Sequence, residues 1–338
     1  MGGLTVPVPA IPRSKRTTQE SLRRQFSEYD RLCRDQHVDS RSRSLDHIAR
    51  REHFVSDTKT FLITGVSTGL GRALAIAALA ADHRVVGTVR TPTAARAFEK
   101  LAGNRAYARI LDVTNNGSVE AVVDEAERVL GPIDVLVANA GYGHDGIIEE
   151  SSMDDLRHQF EVNVFGTVAV IKAVLPHMRA RRAGHIIGIT SMGGLIAFPG
   201  LGFYHGSKFA MEGILESLGK EVADFGIHVT AVEPGKFRTD WAGRSMVRAP
   251  RAIADYDKLF NPLRAQRAHG SGHQPGDPDK AARAILQIVA ADKPPSRLLL
   301  GSDALHLVNA GHEAFAQDIK TWAALSASTD FDDINPTA

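Results

Sequence analysis

Tyr204 and Lys208 stand four residues apart at the start of a helical run that continues to Ala223, so the two side chains share one helix face. A free phenol titrates near ~10 and is a poor acid–base group around neutrality, but an ammonium a few ångströms away favours the phenolate. Each unit of that shift is worth about 1.4 kcal/mol, which makes proton transfer near pH 7 feasible. Ser191 lies thirteen residues upstream, just past the apolar run His185–Ile189. A hydroxyl there can hydrogen-bond a substrate oxygen and stabilise developing charge. Ser191 lacks the Gly-x-Ser-x-Gly elbow and a clear base, which argues against a nucleophile. His205 is expected to face away from Tyr204. An ordinary amphipathic helix also places Tyr and Lys at this spacing, so the pair acquires meaning only from its setting.

Part of that setting is the turn Thr64-Gly65-Val66-Ser67-Thr68-Gly69-Leu70-Gly71, which follows the apolar run Thr60–Ile63 and opens a helix through Ala81. Glycines at a strand-to-helix junction let backbone approach a pyrophosphate, with free amides and the positive helix end facing the anion. The spacing G-x-x-x-G-x-G is neither the G-x-G-x-x-G dinucleotide fingerprint nor a P-loop. After the second run, Arg90 stands where a carboxylate would hold a ribose 2′-hydroxyl. A guanidinium binds a 2′-phosphate bidentately, so NADP(H) is favoured over NAD(H); the competing reading is a solvated surface arginine. Asp112 and Val113 end the third run. There a carboxylate can accept an adenine amino group or simply cap the turn at Thr114 and Asn115.

These groups need a rigid rim. Seven short apolar runs (Thr60–Ile63, Arg84–Val89, Ala106–Leu111, Ile133–Val137, His185–Ile189, Ile227–Val232 and Arg297–Leu300) alternate with segments of helical spacing. Nearly continuous Val/Ile/Leu strands separated by helices predict an α/β fold: a doubly wound parallel seven-stranded sheet with helices on both faces. Residues 58–325 are expected to form one domain, with 236–278 inserted over the site and 326–338 as a tail. Residues 1–57 read as a polar, basic extension carrying a short amphipathic helix over Gln19–Arg34, or as a segment dispensable to the fold. The 338 residues are 43% hydrophobic and 23% charged, enough for a sizeable core. One cysteine, Cys33, precludes an intramolecular disulfide framework and fits a reducing, cytoplasmic setting. No apolar run approaches the roughly 20 residues of a membrane span. The first 57 residues lean basic and the remainder acidic, so no nucleic-acid surface is expected on the body.

In the order and spacing of Thr64 to Gly71, Asn139-Ala140-Gly141, Asn163, Ser191, Tyr204-x-x-x-Lys208 and Pro234-Gly235, the chain resembles the short-chain dehydrogenase/reductase family from about Thr58 to Leu300. The resemblance implies a Rossmann-type fold and hydride transfer between a nicotinamide cofactor and a carbonyl or alcohol, with no metal. It makes Tyr204 the general acid or base and Ser191 the clamp on the carbonyl oxygen. Lys208 would bind the nicotinamide ribose and lower the phenol's pKa, and Asn163 would hold a proton-relay water. Asn139 would border the cofactor, although Ala138 stands where the family usually has a second Asn. Pro234, Gly235 and Thr239 would line the carboxamide. The insertion, with Phe237, Trp241, Met246, Tyr256, Phe260 and Leu263, suits an apolar ketone or secondary alcohol, while Arg238, Arg244, Arg248 and Arg251 suit an anion or nothing but solvent. Tyr142, His144 and Met192 to Phe198 are expected to complete the pocket wall. A homodimer or homotetramer through the long helices 153–182 and 203–223 is implied by resemblance alone. The competing class is an NADP(H)-sensing protein without turnover, against which the complete proton-transfer set argues.

Overall fold

The computed structural model describes residues 58–331. The expected amphipathic helix over Gln19–Arg34 and the whole extension 1–57 lie outside the described residues. Seven strands form one parallel sheet: β1 (Thr60–Ile63), β2 (Arg84–Val89), β3 (Ala106–Ile110), β4 (Val135–Ala138), β6 (Gly184–Ile189), β7 (Ile227–Pro234) and β9 (Arg297–Leu300). Their spatial order is β3-β2-β1-β4-β6-β7-β9. The order reverses between β1 and β4, and in such a sheet the crevice at the carboxyl ends of those strands is the ligand position.

Alternation along β1 shows how the sheet is sandwiched. Phe61 and Ile63 enter one core with Leu74 and Ala78 of α1 (Gly69–Ala80), Phe98 of α2 (Pro92–Glu99) and Ile285 of α8 (Pro278–Val289). Leu62 points the other way, into a core with Val123 of α3 (Asn116–Leu130), Val174 of α5 (Gly166–Arg181) and Leu215 of α6 (Gly202–Val222). Both faces are apolar because both are covered. A short α4 (Met153–Phe160) starts at a reciprocal capping box between Ser152 and Asp155 and runs into a π-helical turn, Glu161–Phe165, before α5. The combined stretch 153–181 has the length and composition to cross a bilayer, an exception to the expectation of no such run. Here, however, Val170, Ile171, Val174 and Met178 are buried against the sheet.

The insertion is more ordered than its composition suggests. It carries β8 (Met246–Arg248) and α7 (Asp257–His269). Strand β8 pairs in parallel with β5 (Gly143–Asp145), making a second, two-stranded sheet that the seven-run pattern did not foresee. The last helix, α9 (Ser302–Ala327), continues past the expected domain end at 325.

Candidate active site

The glycine turn is built to present bare amides. Helix α1 begins after Thr68, whose side chain caps nothing, and its first turn holds no acidic residue, so the leading N–H groups lack intrahelical partners. Thr64 Oγ1 accepts from the amides of Asn139 and Ala140 at 2.9 Å each, and Asn139 Nδ2 donates to the carbonyls of Thr64 (2.8 Å) and Gly65 (3.1 Å). The motif after β4 is thereby bolted to the turn after β1. Gly71 is required by contact: a Cβ there would lie 2.3 Å from Asn139 Nδ2 and 2.5 Å from the Gly65 carbonyl. Gly65 and Gly69 have φ of +75° and +63°, the left-handed region open to glycine. Ser67 and Leu70 belong to the same turn, Leu70 packing against the core, and Gly141 lies against Asn163. Unpartnered amides, a positive helix end and a cradle that a side chain would fill fit a dinucleotide's phosphates.

Arg90 is exposed at the end of β2, within electrostatic reach of Asp112. Asp112 Oδ1 accepts from the Thr114 amide (3.0 Å) and hydroxyl (2.8 Å), which with Arg90 lowers its pKa. The turn reading of Asp112 therefore holds in the structure. Val113 is buried against Gly166.

At the centre of the rim, Tyr204 and Lys208 are both buried on α6. Lys208 Nζ donates to the Ile189 carbonyl at 2.9 Å and lies 5.9 Å from the Tyr204 ring centre. Burial pulls the lysine down to about 8, opposed by Glu212. Burial also pushes the tyrosine up to about 12, opposed by a hydrogen bond with Ser191. Desolvation sets the direction for the phenol, and Ser191 is the group that opposes it. Ser191 Oγ also accepts from the Gly193 amide at 2.9 Å.

Asn163 sits in the π-helical turn, a feature that often marks functional positions. Its Oδ1 accepts from the Tyr142 amide (3.0 Å), and Nδ2 donates to the Tyr142 carbonyl (3.0 Å) and to Ser207 Oγ (3.1 Å). Ser207, whose role the sequence did not signal, donates onward to the Tyr204 carbonyl at 2.7 Å. Asn163 thus ties the loop after β4 to the base of the tyrosine helix, using both amide hydrogens and one acceptor position of Oδ1. His205 is also engaged at both nitrogens: Phe198 N donates to Nε2 (2.9 Å), so Nδ1 carries the proton it gives to the Gly193 carbonyl (2.7 Å). It pins the 191–198 wall, and burial holds it neutral.

Pro234 and Gly235 end β7, with Gly235 N donating to the Leu300 carbonyl at 2.8 Å. Thr239 caps the turn that carries Trp241 and packs on Gly69, where a Cβ would meet Thr239 Cβ at 3.7 Å. The Trp241 ring lies 5.1 Å from that of Tyr204 and against Gly143. Phe260 and Tyr256 do not face the site. Phe260 is fully buried among Arg251, Arg264 and Arg267, and Tyr256 donates to Glu149. Nor do several of the arginines invite a substrate anion. Arg267 pairs with Asp145 at 2.7 Å, while Arg264 and Arg248 stand 3.6 and 3.9 Å from it. Arg251 pairs with Glu150 and Asp257, Arg244 with Asp240. His144 is buried and stacked on Phe203, inside the wall rather than on its surface.

Residues 59–247 match the profile of the short chain dehydrogenase family. The chain belongs to that family. Within it, this short-chain dehydrogenase is 38% identical over 273 residues to Oxidoreductase BOA17 of Botryotinia fuckeliana, covering 80% of this chain and 99% of that protein. It superposes on a short-chain dehydrogenase from Streptomyces avermitilis with a TM-score of 0.77 and 39% identity, covering 81% and 99% of the two chains. It also superposes on ElxO, solved with NADP bound, with a TM-score of 0.62 and 25% identity, covering 74% and 99%. The protein is an oxidoreductase that acts on CH–OH or C=O groups with a nicotinamide cofactor.

Proposed function

We propose that this dehydrogenase interconverts a ketone or aldehyde and an alcohol with NADP(H), with Tyr204 giving or taking the proton. The supporting observation is the convergence of Tyr204, Ser191 and Lys208 on the rim that carries the N-terminal end of α1 after the Thr64–Gly71 turn, with Thr239 packed on Gly69 and Trp241 on Tyr204. The cofactor, when bound, supplies or accepts the hydride. The chain's own work is orientation, a proton and an oxygen clamp. Ser191 Oγ already accepts from Gly193, and its one hydrogen, given to Tyr204 here, can turn to a substrate oxygen. Lys208 carries its charge at the foot of the phenol, where it serves the ribose hydroxyls, and Gly65 to Gly71 with Asn139 hold the phosphates. Arg90, exposed beyond β2, is the group suited to a 2′-phosphate. With Asp145, Glu150, Asp240 and Asp257 engaging its arginines, the insertion offers Trp241 and Met246 to the substrate, which favours a carbonyl compound with an apolar body. Self-association through the long helices 153–182 and 203–223, where Phe165 of the π-helical turn and Phe209 of α6 stay exposed, is part of this reading.

A panel of ketones and aldehydes with NADPH and NADH tests it. Turnover of an apolar carbonyl is expected, and Tyr204→Phe should abolish it while NADPH still binds. Full activity in that variant refutes the assignment of the proton donor.

A further inference from the structure

One turn beyond Lys208 on α6, a second set of charges is buried that the proposed chemistry does not use. Glu212 is 4% exposed and Glu233, on β7, 1%. Both reach the same nitrogen: Arg297 Nη1 donates to Glu212 Oε2 at 2.8 Å and to Glu233 Oε1 at 3.2 Å. The other terminal nitrogen, Nη2, goes to Glu216 at 3.0 Å, which also holds Lys220 at 2.6 Å near the surface. Glu212 Oε1 is buried without a hydrogen-bond partner among the described residues, and Gly194, from the turn after Ser191, packs over that carboxyl group. The groups facing the pair are therefore Lys208 and Glu216 from α6 and Arg297 from β9. The turn after Ser191 adds only Gly194, and β6 adds the Ile189 carbonyl that Lys208 already uses.

Two buried carboxyls that both accept from one guanidinium nitrogen do not both ionise cheaply in a low-dielectric interior. We propose that Glu212 and Glu233 share a single proton, and that the one negative charge left on the pair acts as a positioning group that keeps Lys208 an ammonium. The proposal rests on the role given to Lys208 above. Its electrostatics agree: burial and Glu212 push Glu233 up to about 7, and Glu212 raises Lys208 against the pull of desolvation. A purely structural staple of β9 onto α6 would need Arg297 and one carboxylate; it would not need a second, buried beside the first.

Two measurements on the full chain decide it, neither requiring turnover. Infrared difference spectra between about pH 5 and pH 9 should show the C=O stretch of a protonated carboxyl that vanishes as pH rises. Glu233→Gln should lack the band, and Glu216→Gln should keep it. The second is NMR of the lysine ε-carbon, assigned with Lys208→Arg, which reads the ammonium directly. Removing an anion near a cation lowers the cation's pKa, so Glu212→Gln should lower the Lys208 midpoint by about one unit, a tenfold change in its protonation equilibrium. Glu233→Gln removes only the second charge, the one gained as the band vanishes, and should lower the midpoint by much less than Glu212→Gln does. The proposal is overturned if wild type shows no such band, if Glu212→Gln leaves Lys208 unmoved, or if Glu233→Gln lowers it as far as Glu212→Gln. Failure of the carbonyl panel would instead strike the proposed activity and leave these readouts standing.

Discussion

Asp145 is the position where the insertion is latched to the body, and Asp145→Ala should release it. The carboxylate is 1% exposed, 2.7 Å from Arg267 and 3.6 Å from Arg264, two side chains that are themselves only 19% and 21% exposed. Breaking a buried ion pair by removing one partner costs about 3–5 kcal/mol, because the other charge stays buried and unpaired. Water reaches the arginine side chains, which places this case at the lower end, about 3 kcal/mol. At roughly 2–4 °C per kcal/mol for a domain of this size, the melting temperature should fall by about 6–12 °C. Because the latch joins α7 and β8 to β5, protease cleavage within 246–270 should quicken. On a substrate found by the carbonyl panel, KM should rise more than kcat falls. Asp145→Asn, which keeps the shape and one acceptor, should lie between. A variant that melts within about 1 °C of wild type and resists protease equally would refute the latch, since the cited cost could not then be present.

Gly71→Ala drives a methyl into Asn139 and the Gly65 carbonyl, so overpacking of about 1–3 kcal/mol should add to the weakened Asn139 bonds, with NADPH affinity falling too. Wild-type melting and affinity in that variant would contradict the steric account. Arg90→Ser should weaken NADPH about 10- to 100-fold, the worth of a charged hydrogen-bonding contact, and leave NADH nearly unchanged; parallel losses in titration calorimetry would count against a 2′-phosphate contact. His185 is buried, with burial holding it down to about 4 against 6.5 when unfolded. A depressed histidine contributes stability that is present above the unfolded value and drains away as pH falls from about 6.5 to 4, here roughly 3 kcal/mol. Denaturant melts of His185→Asn should lose that much less across the window, and an unaltered acid slope would refute the assignment.

The strands were legible because both sheet faces are covered, which makes Phe61-Leu62-Ile63 and Val85-Val86 read as unbroken apolar runs. The glycine turn and the Tyr204–Lys208 spacing were legible for a local reason, since each lies within one turn of chain. What stayed hidden depends on partners far away. Strand β5 is Gly-His-Asp and β8 is Met-Val-Arg, three residues each, joined only across about a hundred intervening positions. Glu212 and Glu216 look like a solvated helix face until Arg297 arrives from β9. The arginines of the insertion were read as solvent or anion binders because nothing near them in sequence shows that Asp145 lies beneath. Spacing reports the lysine beside Tyr204, whereas the burial that raises the phenol is a property of the whole fold.

The segment from Thr239 to Trp241 touches Gly69 at one end and Tyr204 and Gly143 at the other. In the proposed function, dinucleotide and substrate therefore share a party wall of three residues. Remodelling Trp241 to admit bulkier molecules would also loosen the grip on the nucleotide, so selectivity on the two sides of that wall is inherited as a unit.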